Sequence, residues 1–329
     1  MSLRAAGRRC RPSPQSDSTS LKRVATIESI GSSTRIEGAK LTDRQVEKLL
    51  SGMKSKSFAS RDEQEVAGYA HAMDMIFECF ESITPKENHI KQLHSVLLKY
   101  SKKDQDHRGH YKKVPNHVEA FCPDGKSLGV VFETATPFET PRWMKESVHW
   151  FNQSVSEETH HPLILISIFI VVFLAIHPFK DGNDRLSRII TTLLLLRAGY
   201  GYVPYSSMEG IIEANKDHYY LALRRTQQTI RKEKQNWEYW LVFFLQTMAK
   251  QKDKLAAKVK EEQALRSSLP ALSRQILELA KTRDEITVKE IEDSTGANRN
   301  TIKVHVKKLA ADHYLMQVGK GRGARYTLK

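Results

Sequence analysis

The chain contains little cysteine, glycine or proline for its length. Its 329 residues include 3 cysteines, 16 glycines and 11 prolines. The cysteines, at positions 10, 79 and 122, form no C-x-x-C pair, which argues against a disulfide framework and against a cysteine zinc site. Sparse glycine and proline between long periodic segments exclude an all-β fold. The sequence therefore predicts a mainly α-helical protein in a reducing, cytoplasmic compartment.

No apolar run is long enough to cross a bilayer. The most apolar segment, 162–176, reads PLILISIFIVVFLAI and has 15 residues, whereas a spanning helix needs about 20. We therefore expect a helix that is buried on all sides, and no membrane partner. Residues 1–20 are basic and rich in serine and proline but have no apolar core. This composition predicts a disordered leader and not a secretory signal.

The net charge of +14 indicates a surface that meets anions, whether nucleic acid, nucleotide phosphates or an acidic protein. Helical periodicity continues to about residue 266, with one helix predicted over 208–231 and a capping box at Thr42 and Gln45. It lapses over 108–134, where the turn PDGK predicts a small β-hairpin or flap. We predict N-terminal helices over 21–100, a core over 101–266 and a separate module over 267–329.

A polar loop, HPFKDGNDR, follows the apolar segment directly. Gly182, Asn183 and Asp184 begin the next predicted helix, where unpaired N–H groups and the helix dipole favour an anion such as phosphate. Arg185 and Arg188 lie three residues apart and project from one face, so they are placed to bind further phosphate groups.

Two residues of the same loop carry chemistry. Asp181 supplies a hard oxygen ligand for Mg²⁺, and His177 has the pKa range of a general base. A structural histidine and an ordinary helix cap are the alternatives for single residues. Taken as one ordered string, the residues favour transfer of a phosphorus-containing group.

The string resembles the signature of the Fic family, H-P-F-x-[D/E]-G-N-G-R-x-x-R. It matches at His177, Pro178, Phe179, Asp181, Gly182, Asn183, Arg185 and Arg188. The resemblance covers the flap and a helical pattern from about 21 to 248, and it implies a Fic-type helical fold. Asp184 departs from the pattern, because it places a carboxylate beside the phosphates where the family has glycine.

The resemblance implies adenylylation, in which AMP passes from ATP, bound with Mg²⁺, to a Ser, Thr or Tyr hydroxyl of a target protein. On this analogy His177 deprotonates the hydroxyl and Asp181 holds the metal. The backbone of 182–184 holds the α and β phosphates, with Arg185 at the β and Arg188 at the γ phosphate. The target segment pairs with the flap at 108–134 by β-strand addition.

A second short pattern lies near the N-terminus. Ser33, Glu37 and Gly38 are similar to the family's inhibitory motif, [S/T]-x-x-x-E-[G/N], in its N-terminal-helix form. The resemblance implies that Glu37 pairs with Arg188 and so takes the arginine that a γ phosphate needs. A role of Glu37 in AMP removal is left open. Asn215, Tyr219 and Tyr220 fall near the family's adenine site, although tyrosines at helical spacing also suit a core.

The C-terminal module predicts helix, helix, turn, helix and β-hairpin, an order that resembles a winged helix-turn-helix. The predicted third helix, 299–311, places basic and polar residues away from its apolar face. The candidate DNA-binding residues are Arg299, Asn300, Lys303, Lys307 and, on the wing, Arg322. A module for protein contact or dimerisation is the alternative.

The sequence as a whole predicts a self-restrained protein AMP-transferase that uses ATP and Mg²⁺. The alternative is a DNA-binding transcriptional or toxin–antitoxin-like regulator whose Fic core binds nucleotide with little or different transfer activity. A homodimer is allowed by the long helices but is not required by them.

Overall fold

The computed structural model describes residues 16–52, 58–121, 127–283, 285–319 and 321–328. Residues 1–15 of the predicted leader, the predicted turn at 123–126 and Lys320 lie outside these ranges. Residues 25–252 form one compact unit, and residues 253–329 together with 16–24 form another. The mainly helical class is confirmed in both, while the domain boundaries proposed from the sequence stay predictions.

The larger unit consists of helices and one two-stranded sheet. The helices before the sheet are α1 (Ser16–Ile36), α2 (Asp43–Ser51), α3 (Arg61–Cys79) and α4 (Glu87–Leu97). The sheet pairs β1 (Val118–Phe121) with β2 (Ser127–Phe132) in antiparallel fashion. The helices after it are α5 (Thr140–Ser156), α6 (Pro162–Ile176), α7 (Asn183–Arg197), α8 (Met208–Ala214), α9 (Lys216–Gln227) and α10 (Glu238–Ser267).

Local sequence signals account for several helix ends. Thr42 and Gln45 form the predicted capping box of α2, with the Gln45 amide oxygen 2.9 Å from the Thr42 nitrogen. Helix α6 begins at Pro162, which suits the first turn because its missing N–H has no helical partner there. Nearly every residue of α6 is buried, and the helix packs against α5 and α7. Its uniform apolarity therefore reflects burial in protein, and none of the helices in the described ranges is long and apolar enough to cross a membrane.

Within the described ranges, the smaller unit contains residues 16–24 of α1, residues 253–267 of α10, three further helices and a three-stranded antiparallel sheet. Helices α11 (Ala271–Thr282), α12 (Val288–Thr295) and α13 (Arg299–Ala311) precede most of the sheet. Strands β3 (Ile286–Thr287), β5 (Arg325–Leu328) and β4 (Leu315–Val318) lie in that order. Gly296 ends α12 with a φ of 65°, a left-handed conformation that glycine adopts at little cost. The core of this unit centres on fully buried Ile276, Ile291 and Ile302.

Two element predictions need correction. The structure divides the single helix predicted over 208–231 into α8 and α9 at Asn215, whose φ of −127° is not helical. The Asn215 side-chain nitrogen donates to the Ile211 carbonyl oxygen at 2.7 Å, so the amide competes with helix continuation. At the other end of the chain, α1 begins at Ser16, inside the predicted leader.

Candidate active site

His177 lies directly after α6, in a conformation that few side-chain-bearing residues adopt. Its φ is 52°, and its N–H donates to the Phe173 carbonyl oxygen at 2.9 Å. The ring Nδ1 lies 3.3 Å from the Leu174 carbonyl oxygen, which favours the tautomer with the proton on Nδ1 and the lone pair on Nε2. Burial, together with the charge of Lys112, lowers the pKa of His177 to about 4. The imidazole is therefore neutral at physiological pH and able to accept a proton.

The loop after His177 is held by hydrogen bonds between the Asn183 side chain and both backbone groups of Phe179. Asn183 accepts from the Phe179 N–H at 2.9 Å and donates to the Phe179 carbonyl oxygen at 2.7 Å. The Phe179 ring is fully buried and stacks on His94 with 3.8 Å between ring centroids. The Asn183 side chain therefore fixes the loop, which leaves only its backbone for the predicted phosphate contact.

Gly182 precedes α7 with a φ of 80°. A Cβ at this position would lie 3.5 Å from Leu97 and 3.8 Å from the His94 Nε2, so the left-handed backbone is what requires glycine here. The Gly182 N–H donates to the Asp181 Oδ1 at 2.6 Å. Asn183 and Asp184 occupy the first two positions of α7, where backbone N–H groups have no intrahelical acceptor. The helix start is thus arranged as an anion site.

Asp181 lies among basic side chains. Its carboxylate oxygens lie 3.3 Å from the Arg185 Nη2 and 3.1 Å from the Lys103 Nζ. Burial opposes ionisation, but Arg185 and Lys103 outweigh it and lower the pKa of Asp181 to about 2. The described residues contain no cluster of three or more side chains that could hold a metal by themselves. One ionised, partly exposed carboxylate still fits Mg²⁺ bound jointly with phosphate oxygens and water.

Both predicted phosphate-binding arginines are buried and already paired with carboxylates. The Arg185 Nη1 lies 3.1 Å from the Glu65 Oε2, an ion pair that the sequence did not reveal. The Arg188 Nη2 donates to the Glu37 Oε1 at 2.8 Å, as the inhibitory-motif resemblance predicts. The Arg188 Nη1 is buried without a hydrogen-bond partner within the described ranges. Arg188 therefore retains one unused donor that an anion would satisfy.

Ser33 completes the contact between the N-terminal helix and Arg188. The Arg188 Nε donates to the Ser33 Oγ at 2.8 Å, and its Nη2 donates to the Ser33 carbonyl oxygen at 3.0 Å. Glu37 and Gly38 lie just past the end of α1, with Gly38 at a φ of 100°. Burial raises the pKa of Glu37, and the Asp184 charge raises it further, while Arg188 opposes both. Burial also raises the pKa of Asp184, so two carboxyl groups and one guanidinium share this end of the site.

The three candidate adenine contacts differ in their surroundings. Tyr219 is 2% exposed and packs edge-on against Trp240 with 5.8 Å between ring centroids. Its ring therefore packs within the aromatic core. Tyr220 is only partly buried, with the Lys216 Nζ 5.8 Å from its ring centroid. Asn215 uses its side-chain nitrogen to end α8.

Three further residues at this site carry no sequence signal, because each is a common residue in an ordinary segment. His94 lies on α4, where its Nδ1 accepts from the Gly109 N–H at 2.8 Å and its Nε2 lies 3.0 Å from the Asp181 carbonyl oxygen. Lys112 and Asn116 lie just before β1 and contact the backbone on both sides of His177. These contacts connect α4, the segment before the hairpin and the loop after α6.

The candidate DNA-binding residues belong to the smaller unit. Arg299, Asn300, Lys303 and Lys307 are exposed on α13, whose opposite face buries Ile302, Val306 and Leu309. Arg322 lies in the short 3-10 turn Gly321–Gly323 between β4 and β5, and its side chain is outside the described part of the structure. The helix thus presents a basic face.

Comparisons with known proteins relate the segment that contains this site to one family. The model of the Fic/DOC family matches residues 82–195. Two proteins named "Protein adenylyltransferase Fic" are similar in sequence. The one from Drosophila grimshawi is 30% identical over 183 residues, and the one from Drosophila melanogaster is 29% identical over 181 residues. Each match covers 54% of this chain, and the chain spans 35% and 34% of the length of these relatives.

Solved structures show the same fold at low sequence identity. A Fic family protein from Desulfovibrio desulfuricans G20 superposes with a TM-score of 0.63 and 21% identity, covering 99% of this chain and 94% of its own. Fic-1 (residues 134–508) from C. elegans superposes with a TM-score of 0.60 and 18% identity, covering 79% of this chain and 71% of its own. The family model thus assigns residues 82–195 to the Fic/DOC family, and the solved structures show that the chain shares their fold.

Proposed function

We propose that this chain is a protein AMP-transferase that moves AMP from ATP to a Ser, Thr or Tyr hydroxyl of a target protein. The similarity to proteins named adenylyltransferase supports the general activity. The observation that carries the proposal is the placement of a neutral His177 beside the start of α7, with two buried arginines on the same helix. This arrangement supplies a base, an anion site and charge for the leaving group.

The transfer uses residues of the loop after α6 and of the first turns of α7. The His177 Nε2 takes the proton of the target hydroxyl as its oxygen attacks the α phosphorus of ATP, and the bond to the β phosphate breaks to release pyrophosphate. Backbone N–H groups of 182–184 bind the α and β phosphates, and Arg185 and Arg188 stabilise charge on the β and γ phosphates. Mg²⁺ held by Asp181 would neutralise phosphate charge. Asp181 must then exchange its contacts with Arg185 and Lys103 for the metal.

The Glu37–Arg188 ion pair supports autoinhibition. The Glu37 carboxylate accepts a hydrogen bond from the Arg188 Nη2 at 2.8 Å, and the Arg188 side chain is 2% exposed. A γ phosphate therefore cannot reach Nη2 without displacing the carboxylate. ATP bound beside an intact pair would hold its α phosphate out of line with His177 and the incoming hydroxyl.

Labelled ATP with Mg²⁺ tests both the reaction and its inhibition. Glu37→Gly should increase AMP incorporation into the chain or a target by about 10-fold or more, because an arginine contact made in the transition state is worth that much. His177→Ala in the same background should abolish incorporation. Equal labelling by wild type and Glu37→Gly would refute the inhibitory role, and undiminished labelling after the His177 change would refute the base.

The hairpin is the candidate docking site for the target. Strands β1 and β2 pair only with each other within the described ranges, and they lie within the segment 108–134 predicted as a flap. An extended target segment could therefore add as a third strand through backbone hydrogen bonds. Proline substitutions in a target peptide at alternate positions should abolish modification if this pairing occurs.

A DNA-binding regulator is the second candidate function. The exposed basic face of α13 favours it, as does the excess of 12 Lys/Arg over 7 Asp/Glu in residues 270–329. Binding to duplex DNA should weaken steeply with salt, and Lys303→Ala with Lys307→Ala should lower the salt slope by about two. Absence of binding at low salt would exclude this function. The homodimer and the cytoplasmic location stay predictions.

A further inference from the structure

Lys112 or Asn116 donates a hydrogen bond to each of four successive carbonyl groups around His177, and Asn183 donates a second one to the last of them. The Lys112 Nζ donates to the Ile176 oxygen at 3.1 Å, and the Lys112 backbone N–H donates to the Pro178 oxygen at 2.9 Å. The Asn116 Nδ2 donates to the His177 oxygen at 3.2 Å and to the Phe179 oxygen at 2.6 Å. Lys112 and Asn116 thus satisfy the backbone acceptors of 176–179.

These donors are needed because the chain leaves α6 here. The last carbonyl groups of a helix have no intrahelical partner, and buried ones are costly when left unpaired. His177 also holds a φ of 52°, which a residue with a side chain keeps only when its surroundings enforce it. The conformation that presents the imidazole therefore depends on contacts from outside the helix.

Lys112 is itself placed in an unusual environment. It is 4% exposed, and its ammonium also donates to the Asn116 Oδ1 at 2.7 Å and to the Thr134 Oγ1 at 2.9 Å. All three of its acceptors are neutral oxygens. Asn116 precedes β1 and Thr134 follows β2, so one buried ammonium ties both ends of the hairpin to the end of α6.

We propose that Lys112 and Asn116 are positioning residues for His177, which set the imidazole and the base of the hairpin in one fixed relation. The proposal rests on the proposed function, since it assigns these residues a role in AMP transfer. Neither side chain has a part in binding the phosphates, which contact the start of α7. Their loss should therefore lower kcat and leave ATP affinity unchanged.

Lys112 also acts on His177 through its charge. The charged groups that face His177 are Lys112, which lowers the pKa of the imidazole, and Glu37 and Asp181, which raise it. Removal of the ammonium should therefore raise the pKa of His177, and arginine at the same position should retain the low pKa. A residue that only supports the fold would not produce this pair of results.

The experiment compares Lys112→Met, Lys112→Arg and Asn116→Ala in the Glu37→Gly background of the full chain. Lys113→Met is the matched control, because Lys113 is the next residue and is exposed. We expect kcat for AMP transfer to fall about 10- to 100-fold in Lys112→Met and Asn116→Ala, the range for a base misplaced by about 1 Å. Lys112→Arg should recover much of the loss, and Kd for ATP should stay within about twofold throughout.

NMR titration of the His177 imidazole gives a second measurement that does not need activity. The signal is assigned by its loss in His177→Ala. Its pKa should rise in Lys112→Met, stay low in Lys112→Arg, and change little in Asn116→Ala, where the ammonium remains. Thermal unfolding of each variant verifies that it is folded before comparison, and Asn116→Ala carries the test if Lys112→Met does not fold.

The outcomes separate this proposal from the proposed function. If Lys112→Met and Asn116→Ala match Lys113→Met in kcat and in the His177 titration, the positioning role is wrong. If the Glu37→Gly background transfers no AMP but the His177 pKa responds as expected, the proposed function fails and the placement of His177 by Lys112 stands. A parallel loss of ATP affinity would also overturn the proposal, because it would indicate a general distortion of the site.

Discussion

At the scale of single residues, Asp184 most directly opposes the proposed substrate. Its backbone lies at the second position of α7, where phosphate binds in the proposed reaction, and its partly buried carboxyl group shares the Arg188 region with Glu37. Negative charge near a helix start is favourable in the unliganded protein. The same charge repels a phosphate. Asp184 should therefore weaken ATP binding while stabilising α7.

Replacement of Asp184 tests this conflict. Asp184→Asn and Asp184→Gly should each tighten ATP binding by about 1 kcal/mol, roughly fivefold, because a like charge near the phosphates is removed. Asparagine keeps the size and shape of the side chain and removes only its charge. Glycine removes the whole side chain and should also cost about 1 kcal/mol of helix stability. Isothermal titration with ATP and Mg²⁺ measures the affinity. Unchanged affinity in both variants would show that the carboxylate turns away from the phosphates or is protonated when ATP binds.

At the scale of elements, helix α1 is held in place by more than the ion pair with Arg188. The Arg35 Nε and Nη2 contact the two carboxylate oxygens of Glu213 at 2.7 and 3.0 Å. The Lys216 Nζ donates to the Ile36 carbonyl oxygen at 2.5 Å. These contacts lie within the last turn of α1, directly before Glu37. The inhibitory carboxylate is therefore placed by an anchored helix end.

Weakening this anchor should partly relieve inhibition. Glu213→Gln removes the charge of a two-point ion pair, so it should cost about 1 kcal/mol of stability and raise AMP transfer up to about fivefold. Glu146→Gln is the matched control, since Glu146 forms an exposed pair with Arg142 at 4.0 Å and should change neither quantity. Chemical denaturation and labelling with ATP measure the two effects. Equal activity of the two variants would show that inhibition depends on Glu37 and not on the contact between Arg35 and Glu213.

Element boundaries were predictable where a local signal defined them. The capping box of α2 and the range 299–311 of α13 follow from capping residues and apolar spacing, and both are confirmed. The break at Asn215 was missed, since a single asparagine within a periodic segment is no stop signal by itself. There a side-chain hydrogen bond to the backbone, and not periodicity, decides the conformation.

At the scale of the whole molecule, buried histidine should limit stability in acid. His94 is fully buried, and burial lowers its pKa to about 4. The unfolded chain binds a proton at this residue below about pH 6.5, whereas the folded chain does so only below about pH 4. The unfolded state therefore binds more protons between these values, and the free energy of unfolding falls as the pH decreases from 6.5 to 4.

The expected loss is up to about 3 kcal/mol for His94. Denaturant unfolding at a series of pH values measures it, and His94→Gln should show a smaller slope between pH 6.5 and 4 than the wild type. His160→Gln, at an exposed histidine, serves as the control. A wild-type slope in His94→Gln would show that His94 is not the residue responsible.

The sequence by itself determined the mainly helical class and the ordered string from His177 to Arg188, because both depend on periodicity and on residues close together in the chain. It also indicated the partner of Arg188, through a motif 151 residues away that forms the contact at 2.8 Å. Only the tertiary structure decided that Arg185 pairs with Glu65, that Tyr219 belongs to the core, and that Lys112 and Asn116 hold the backbone of His177. The physical reason is that packing brings together segments that are far apart in the chain, and the local sequence of one segment does not identify the other.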